Sequence, residues 1–172
     1  IPVDHLYAST LFIEYIQSLK LENLTIASPD MGGAKRAKNY AGHLHADVVI
    51  AYKERKKANV VEEMFLIGDV TDRNVILIDD MIDTAGTLCK AADILMKGGA
   101  RSVRAMATHG VLSGEAYNNI QNSSLVEVIV TDTIPIKEGL SSKIKVLSCA
   151  ALFADVMKSV HNHQSISDKF II

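Results

Sequence analysis

The chain has 172 residues, 48% of them hydrophobic and 22% charged, which suits one well-packed globular domain and is too little for two large ones. Its formal net charge is -2, so no overall positive field draws it to nucleic acid or to an anionic membrane surface. No apolar run approaches the roughly 20 residues needed to span a bilayer, and neither nucleic acid nor membrane is expected as a partner.

The opening Ile1-Pro2-Val3-Asp4 has no basic stretch leading into an apolar one, so no signal peptide is expected, and without an initiator Met residues are expected once to have preceded Ile1. Leu24-Thr25-Ile26-Ala27-Ser28 reads as a buried strand, ended by Pro29-Asp30 and the pair Gly32-Gly33. Ala34 to His45 turns helical, and Asp47-Val48-Val49-Ile50-Ala51-Tyr52 is a second strand. Lys53 to Met64 is charged and without periodicity, which predicts a loop, and Phe65-Leu66-Ile67 a short edge strand.

Asn74-Val75-Ile76-Leu77-Ile78-Asp79 is the strongest strand. From Thr84 to Lys97 the apolar stripe Leu88, Ala91, Ala92, Leu95, Met96 predicts a helix, stopped by Gly98-Gly99. Strands are expected at Ser102 to Thr108, Leu125 to Thr131 and Ile144 to Leu147, with helices near Glu115 to Ile120 and from Ala150 to His161. Short β-branched runs alternating with helices predict α/β architecture: residues 1–172 as a single domain, with a mainly parallel sheet flanked by helices. In such sheets ligands bind at the carboxyl ends of the strands, so loops that leave a strand and open a helix are the places to look.

Cys89 and Cys149 lie 60 residues apart in apolar segments, belong to no metal or disulfide pattern and read as small buried thiols. A reducing, cytoplasmic setting follows. His43, His45, His109, His161 and His163 lack the helical spacing and acid of a zinc site and read as polar surface or local hydrogen bonding.

Asp79-Asp80-Met81-Ile82-Asp83-Thr84-Ala85-Gly86-Thr87 places three carboxylates and a small-residue turn between a strand and a helix. Acids this close repel unless cations or hydroxyl donors answer them. Thr84, Ala85, Gly86 and Thr87 bring bare N–H groups to a helix amino terminus, which carries about half a positive charge and suits a phosphate. Hydroxyl-accepting acids beside an anion cradle match a sugar phosphate. The plainer alternative is strand-end acids with Asp83-Thr84 capping the helix.

This run resembles the phosphoribosyl pyrophosphate motif of type I phosphoribosyltransferases and of ribose-phosphate pyrophosphokinases: two acids, two apolar residues, then Asp-Thr-x-Gly-Thr. The resemblance implies a type I phosphoribosyltransferase-like fold. It further implies that Asp79 and Asp83 hold ribose hydroxyls, that Asp80 shares the site, and that Thr84, Ala85, Gly86 and Thr87 wrap the 5-phosphate.

Two further segments bear on the choice within that group. In Ser28-Pro29-Asp30-Met31-Gly32-Gly33-Ala34-Lys35-Arg36 the glycine pair lets backbone approach a polyphosphate. Asp30 is placed to hold Mg²⁺, which favours carboxylate, water and phosphate oxygens; a Gly-rich turn capped by Asp30 is the alternative. Ribose-phosphate pyrophosphokinases carry a very similar run. Lys53-Glu54-Arg55-Lys56-Lys57-Ala58-Asn59 alone reads as a solvated face. It also resembles that family's Lys-x-Arg loop, which implies that Lys53 and Arg55 close over ATP and offset charge in phosphoryl transfer, with Lys56 and Lys57 in support.

Weaker likeness reaches Ile1 to Leu6, Thr108 to Gly114, Thr131 to Pro135 and His161 to Ser167, where Asp168-Lys169 departs from the family's aromatic-aliphatic pair. The chain thus resembles the carboxyl-terminal half of a ribose-phosphate pyrophosphokinase, second of two tandem domains, with the first domain absent. The resemblance implies ribose 5-phosphate and ATP as substrates, Mg²⁺ as cofactor and a homo-oligomer, hexameric in the family. The adenine pocket and a metal-binding His belong to the first domain, so the isolated chain is expected to be poorly active. The rivals are a phosphoribosyltransferase, a non-catalytic regulatory subunit of the same fold, and a plain nucleotide-binding module, for which no Gly-Lys-Ser/Thr loop or dinucleotide fingerprint is present.

Overall fold

Runs of Val, Ile and Leu bounded by turn residues become strands because branched side chains pack well on a pleated surface. The computed structural model describes residues 1, 3–54, 63–137, 139 and 141–170, the side chains of residues 53, 54, 63, 64 and 168 excepted. Its elements are α1 (Ser9–Ser18), β1 (Leu24–Ser28), α2 (Ala34–Leu44), β2 (Asp47–Glu54), β3 (Glu63–Ile67), β4 (Asn74–Ile82), α3 (Gly86–Lys97), β5 (Ser102–Gly110), α4 (Ala116–Asn122), β6 (Val128–Thr131), β7 (Ile144–Leu147) and α5 (Ala150–His161). A short 3₁₀ turn, Ser167–Lys169, follows.

The strands form one 7-stranded sheet in the order β3-β2-β1-β4-β5-β6-β7. All neighbours are parallel except β2 and β3, which pair antiparallel at one edge. The single α/β domain with a mainly parallel sheet is therefore present as expected. Alternate residues of β4 serve two cores. Val75 and Leu77 pack with Leu88, Ala91 and Leu95 of α3 and Ile120 of α4, whereas Ile76 and Ile78 pack with Phe12 and Ile16 of α1 and Tyr40 of α2. Each fully buried Ile, Leu or Phe contributes about 1.5–3 kcal/mol, and such double coverage is what makes a parallel strand read as continuously apolar.

The structure departs from the sequence reading in several places. α1 was assigned no element; it has no side-chain cap and no acid in its first turn, so only Phe12, Ile13 and Ile16 on one face mark it. The expected loop from Lys53 is shorter at both ends, because backbone pairing continues through Lys53↔Met64 and Glu54↔Glu63; charged residues are tolerated where one strand lies at the sheet edge. β4 runs on to Ile82, held by Met81↔His109 and Ile82↔Gly110, so Asp79 and Asp80 stand within the strand. α3 starts at Gly86 rather than Thr84 because Ala85 is left-handed, with φ 60. β6 begins at Val128; Leu125 is buried in the core ahead of it.

Candidate active site

From β1 the chain winds toward β2 and β3, and from β4 toward β5, β6 and β7. Between β1 and β4 lies the switch point, where the loops leaving the two strands separate and open a crevice. Those are the two loops singled out above: residues 29–33 lead from β1 into α2, and residues 83–85 lead from β4 into α3.

At the end of β4 the acids are answered. Arg36, in the first turn of α2, places Nη1 3.0 Å from Asp79 Oδ1 and Nη2 3.2 Å from Asp80 Oδ2. Asp80 N donates to Asp79 Oδ1 at 2.8 Å. Burial, then the hydrogen bond with Asp80 and the charge beside it, push Asp79 up to about 6, against the pull of Arg36. Burial also opposes ionisation of Asp80, but the hydrogen bond with Asp79 and the Arg36 guanidinium outweigh it and hold Asp80 below the usual carboxylate range.

Asp83 meets the loop after β5. Ser113 donates its hydroxyl to Asp83 Oδ1, Ser113 N donates to Asp83 O at 3.2 Å, and Leu112 N to Ile82 O at 3.0 Å. Asn119 of α4 donates to Thr84 O at 3.0 Å. Both Ala85 and Leu112 adopt left-handed backbone, φ 60 and 49, a strain of order 1–3 kcal/mol each. A Cβ on Gly86 would find only Thr84 Oγ1, 3.9 Å away, so protein packing does not demand glycine there. Gly86 therefore leaves open space beside the bare amino terminus of α3.

The loop after β1 is tight for internal reasons. Gly33 N donates to Asp30 Oδ1 at 2.8 Å and Ser28 Oγ to Asp30 O at 2.7 Å, and a Cβ on Gly33 would lie 2.5 Å from Ser28 Oγ. Asp30 thus caps the turn with one oxygen; Oδ2 has no protein partner among the described residues. Among those residues no group of three or more His, Cys, Asp or Glu could hold a metal. One available carboxylate oxygen, completed by water and substrate phosphate, still fits the way Mg²⁺ is bound.

A cavity of about 850 Å³ lies over these loops. Gly32, Arg36, Asp79 and Asp80 line it, and residues 3–9 and the start of α5 close its other sides. The structure thus brings Gly32 to the acid pair, while Asp30, Gly33, Asp83, Thr84, Ala85, Gly86 and Thr87 are not among its lining residues. Lys53 is described only by its backbone, next to last in β2, and Arg55, Lys56 and Lys57 lie outside the described residues. Sequence reasoning does not reach the role of Arg36, which stands in the Gly-rich run: no local pattern announces a partner 43 residues away. Cys89 and Cys149 are free thiols, both pushed up by burial.

The family model described as "Phosphoribosyl synthetase-associated domain" matches residues 60–171. The ribose-phosphate pyrophosphokinase of Porphyromonas gingivalis is 52% identical over 168 residues, 97% of this chain and 53% of that protein. That of Wolinella succinogenes is 53% identical over 171 residues, 99% of this chain and 55% of that protein. The crystal structure of phosphoribosylpyrophosphate synthetase from Mycobacterium smegmatis superposes with TM-score 0.84 at 36% identity, covering 94% of this chain and 53% of that one. Adenine phosphoribosyl transferase from Trypanosoma brucei, at TM-score 0.56 and 19% identity over 85% of this chain and 74% of that one, shares the fold alone. The chain spans about half the length of the curated relatives it matches. With a family model over most of its length and half its residues identical to those relatives, the chain belongs to the phosphoribosyl synthetase family, whose members carry the name ribose-phosphate pyrophosphokinase.

Proposed function

We propose that this chain is a catalytic domain of a ribose-phosphate pyrophosphokinase, the second of two in tandem, and that it carries the ribose 5-phosphate half of the site. The observation that carries the reading is the Arg36-bridged pair Asp79 and Asp80, set between the Gly32 loop and the Asp83 loop at one switch point. Asp79 and Asp83 accept ribose hydroxyls, with Asp80 beside them. Thr84, Ala85, Gly86 and Thr87 wrap the 5-phosphate. Asp30 with Gly32 and Gly33 takes the diphosphate and its Mg²⁺, a hard cation that neutralises polyphosphate charge. Lys53 and Arg55 close on ATP.

In the reaction the 1-hydroxyl oxygen of the sugar bonds to the β-phosphorus of ATP and gives its proton to water, the bond from that phosphorus to the α-phosphate oxygen breaks, and AMP leaves with that oxygen. Such a transfer asks for positioning and charge neutralisation more than covalent chemistry. The adenine pocket belongs to the other half of the enzyme, the assembly is homo-oligomeric and the setting cytoplasmic. The test is calorimetric titration with ribose 5-phosphate in Mg²⁺. Saturable binding is expected, weakened at least about tenfold by Asp83→Ala, the scale for a hydrogen bond to a charged group. Equal binding by both chains would overturn the reading.

A further inference from the structure

β5 carries a register shift where it pairs with β6: Ala107 faces Val130, but His109 faces Thr131, so Thr108 is an extra residue. Bulges beside active sites re-aim a side chain. Here the freed carbonyl of Thr108 accepts the hydroxyl of Thr131 at 2.6 Å and that of Thr133 at 3.1 Å. His109, one residue on, lines the cavity with Asp79 and Asp80 and stands opposite Met81 of β4.

The hydroxyls also determine which ring nitrogen carries the proton. His109 Nδ1 is 2.9 Å from Thr133 Oγ1. Each threonine has a single hydroxyl hydrogen. When Thr131 and Thr133 both donate to Thr108 O, Thr133 Oγ1 can only accept, and the His109–Thr133 contact needs hydrogen on Nδ1. Thr131 Oγ1 and Thr133 Oγ1 also lie 3.0 Å apart, so four contacts share the hydrogens: with Nδ1–H three of them are served, and the opposite tautomer, which takes the Thr133 hydrogen away from Thr108, serves only two. Neutral His109 therefore keeps a lone pair on Nε2, which has no protein partner among the described residues. That lone pair suits a hydroxyl donor and not a phosphate oxygen.

We propose that His109 is a further hydroxyl-binding group of this site, in the cavity lined by Asp79 and Asp80, held through Nδ1–H by Thr133 and accepting a ribose hydroxyl at Nε2. The assignment rests on the ribose 5-phosphate reading above. The experiment is a long-range ¹H–¹⁵N spectrum of the histidine rings of the intact chain, titrated with ribose 5-phosphate and separately with inorganic phosphate. His109 is expected as the Nδ1–H tautomer, its Nε2 resonance moving with ribose 5-phosphate and not with phosphate alone. In calorimetry His109→Phe should bind ribose 5-phosphate about three- to tenfold more weakly, the scale of one neutral hydrogen bond, and phosphate unchanged. His109→Gln, whose amide oxygen can take the place of Nε2, should recover part of the loss; thermal melts confirm that both variants fold. An Nε2–H tautomer, a silent resonance at saturating sugar phosphate, or undiminished affinity in His109→Phe overturns the assignment and leaves the function reading standing. If the unaltered chain binds neither ligand, both fall.

Discussion

At the carboxyl ends of the strands the cavity of about 850 Å³ meets the amino-terminal turns of α2 and α5; at the amino ends a hollow of about 410 Å³ meets the carboxyl-terminal turns of α1 and α2. Helix amino termini are electropositive and carboxyl termini electronegative, so one fold builds two hollows of opposite character. At the amino ends Lys20, His45 and Arg73 border the hollow, Lys20 just beyond the carboxyl end of α1. Arg73 further pairs with Asp47 at 3.2 Å, and the left-handed His45 closes α2 by donating its N–H to Ala41 O. These charges finish local structure. At the carboxyl ends the balance is different: three acids share one arginine and one serine hydroxyl, one acid is pushed up to about 6, and α3 opens on a glycine where an added Cβ would meet nothing nearer than Thr84 Oγ1 at 3.9 Å. Groups left incompletely answered by the protein mark the end where the proposed site lies.

The contrast can be broken most forcefully at Gly33. Gly33→Ala sets a Cβ against Ser28 Oγ, which is itself held by Asp30, and should cost about 1–3 kcal/mol in denaturant unfolding. Adding Ser28→Ala should return most of that loss, a coupling that a double-mutant cycle measures. Gly86→Ala should separate stability from binding. With open space at the Cβ, better helix propensity adds up to about 1 kcal/mol, while affinity for ribose 5-phosphate falls about tenfold in the same titration, as a helix-end contact to phosphate is lost.

Asp79→Asn sharpens the electrostatic side. The Asp79 carboxyl is raised from 3.8 to about 6 in the folded chain, so folding takes up a proton between those values. The stability this group contributes is present below the lower value and lost as pH rises through the upper one. At pH 7 the Asn variant should therefore be more stable by on the order of 1 kcal/mol, with the gain gone below about pH 4; a pH series of melts reads it. The smallest effect belongs to the other end of the sheet. Asp47→Asn breaks an exposed pair and should cost under about 1 kcal/mol, with no change in ribose 5-phosphate affinity. A loss of affinity there would erase the distinction between the two hollows.

The amino-acid sequence by itself determined the architecture and the two candidate loops. β1, β7 and α5 fall on the residues read from it, Leu24–Ser28, Ile144–Leu147 and Ala150–His161, because short apolar runs, glycine stops and helical periodicity are local signals. The acid run and the Gly-rich run are equally local, and each directly follows a strand. Only the tertiary structure decided how the loops meet. Arg36 reaches Asp79 across 43 positions and Ser113 reaches Asp83 across 30, and His109 is aimed at the cavity by a bulge that threonines 23 and 25 positions away from Thr108 hold in place. Such contacts exist only once the parallel sheet has set β1, β4, β5 and β6 side by side. The same holds for α1, which lacks a start signal and is a helix because Phe12 and Ile16 find Ile76 and Ile78 beneath them.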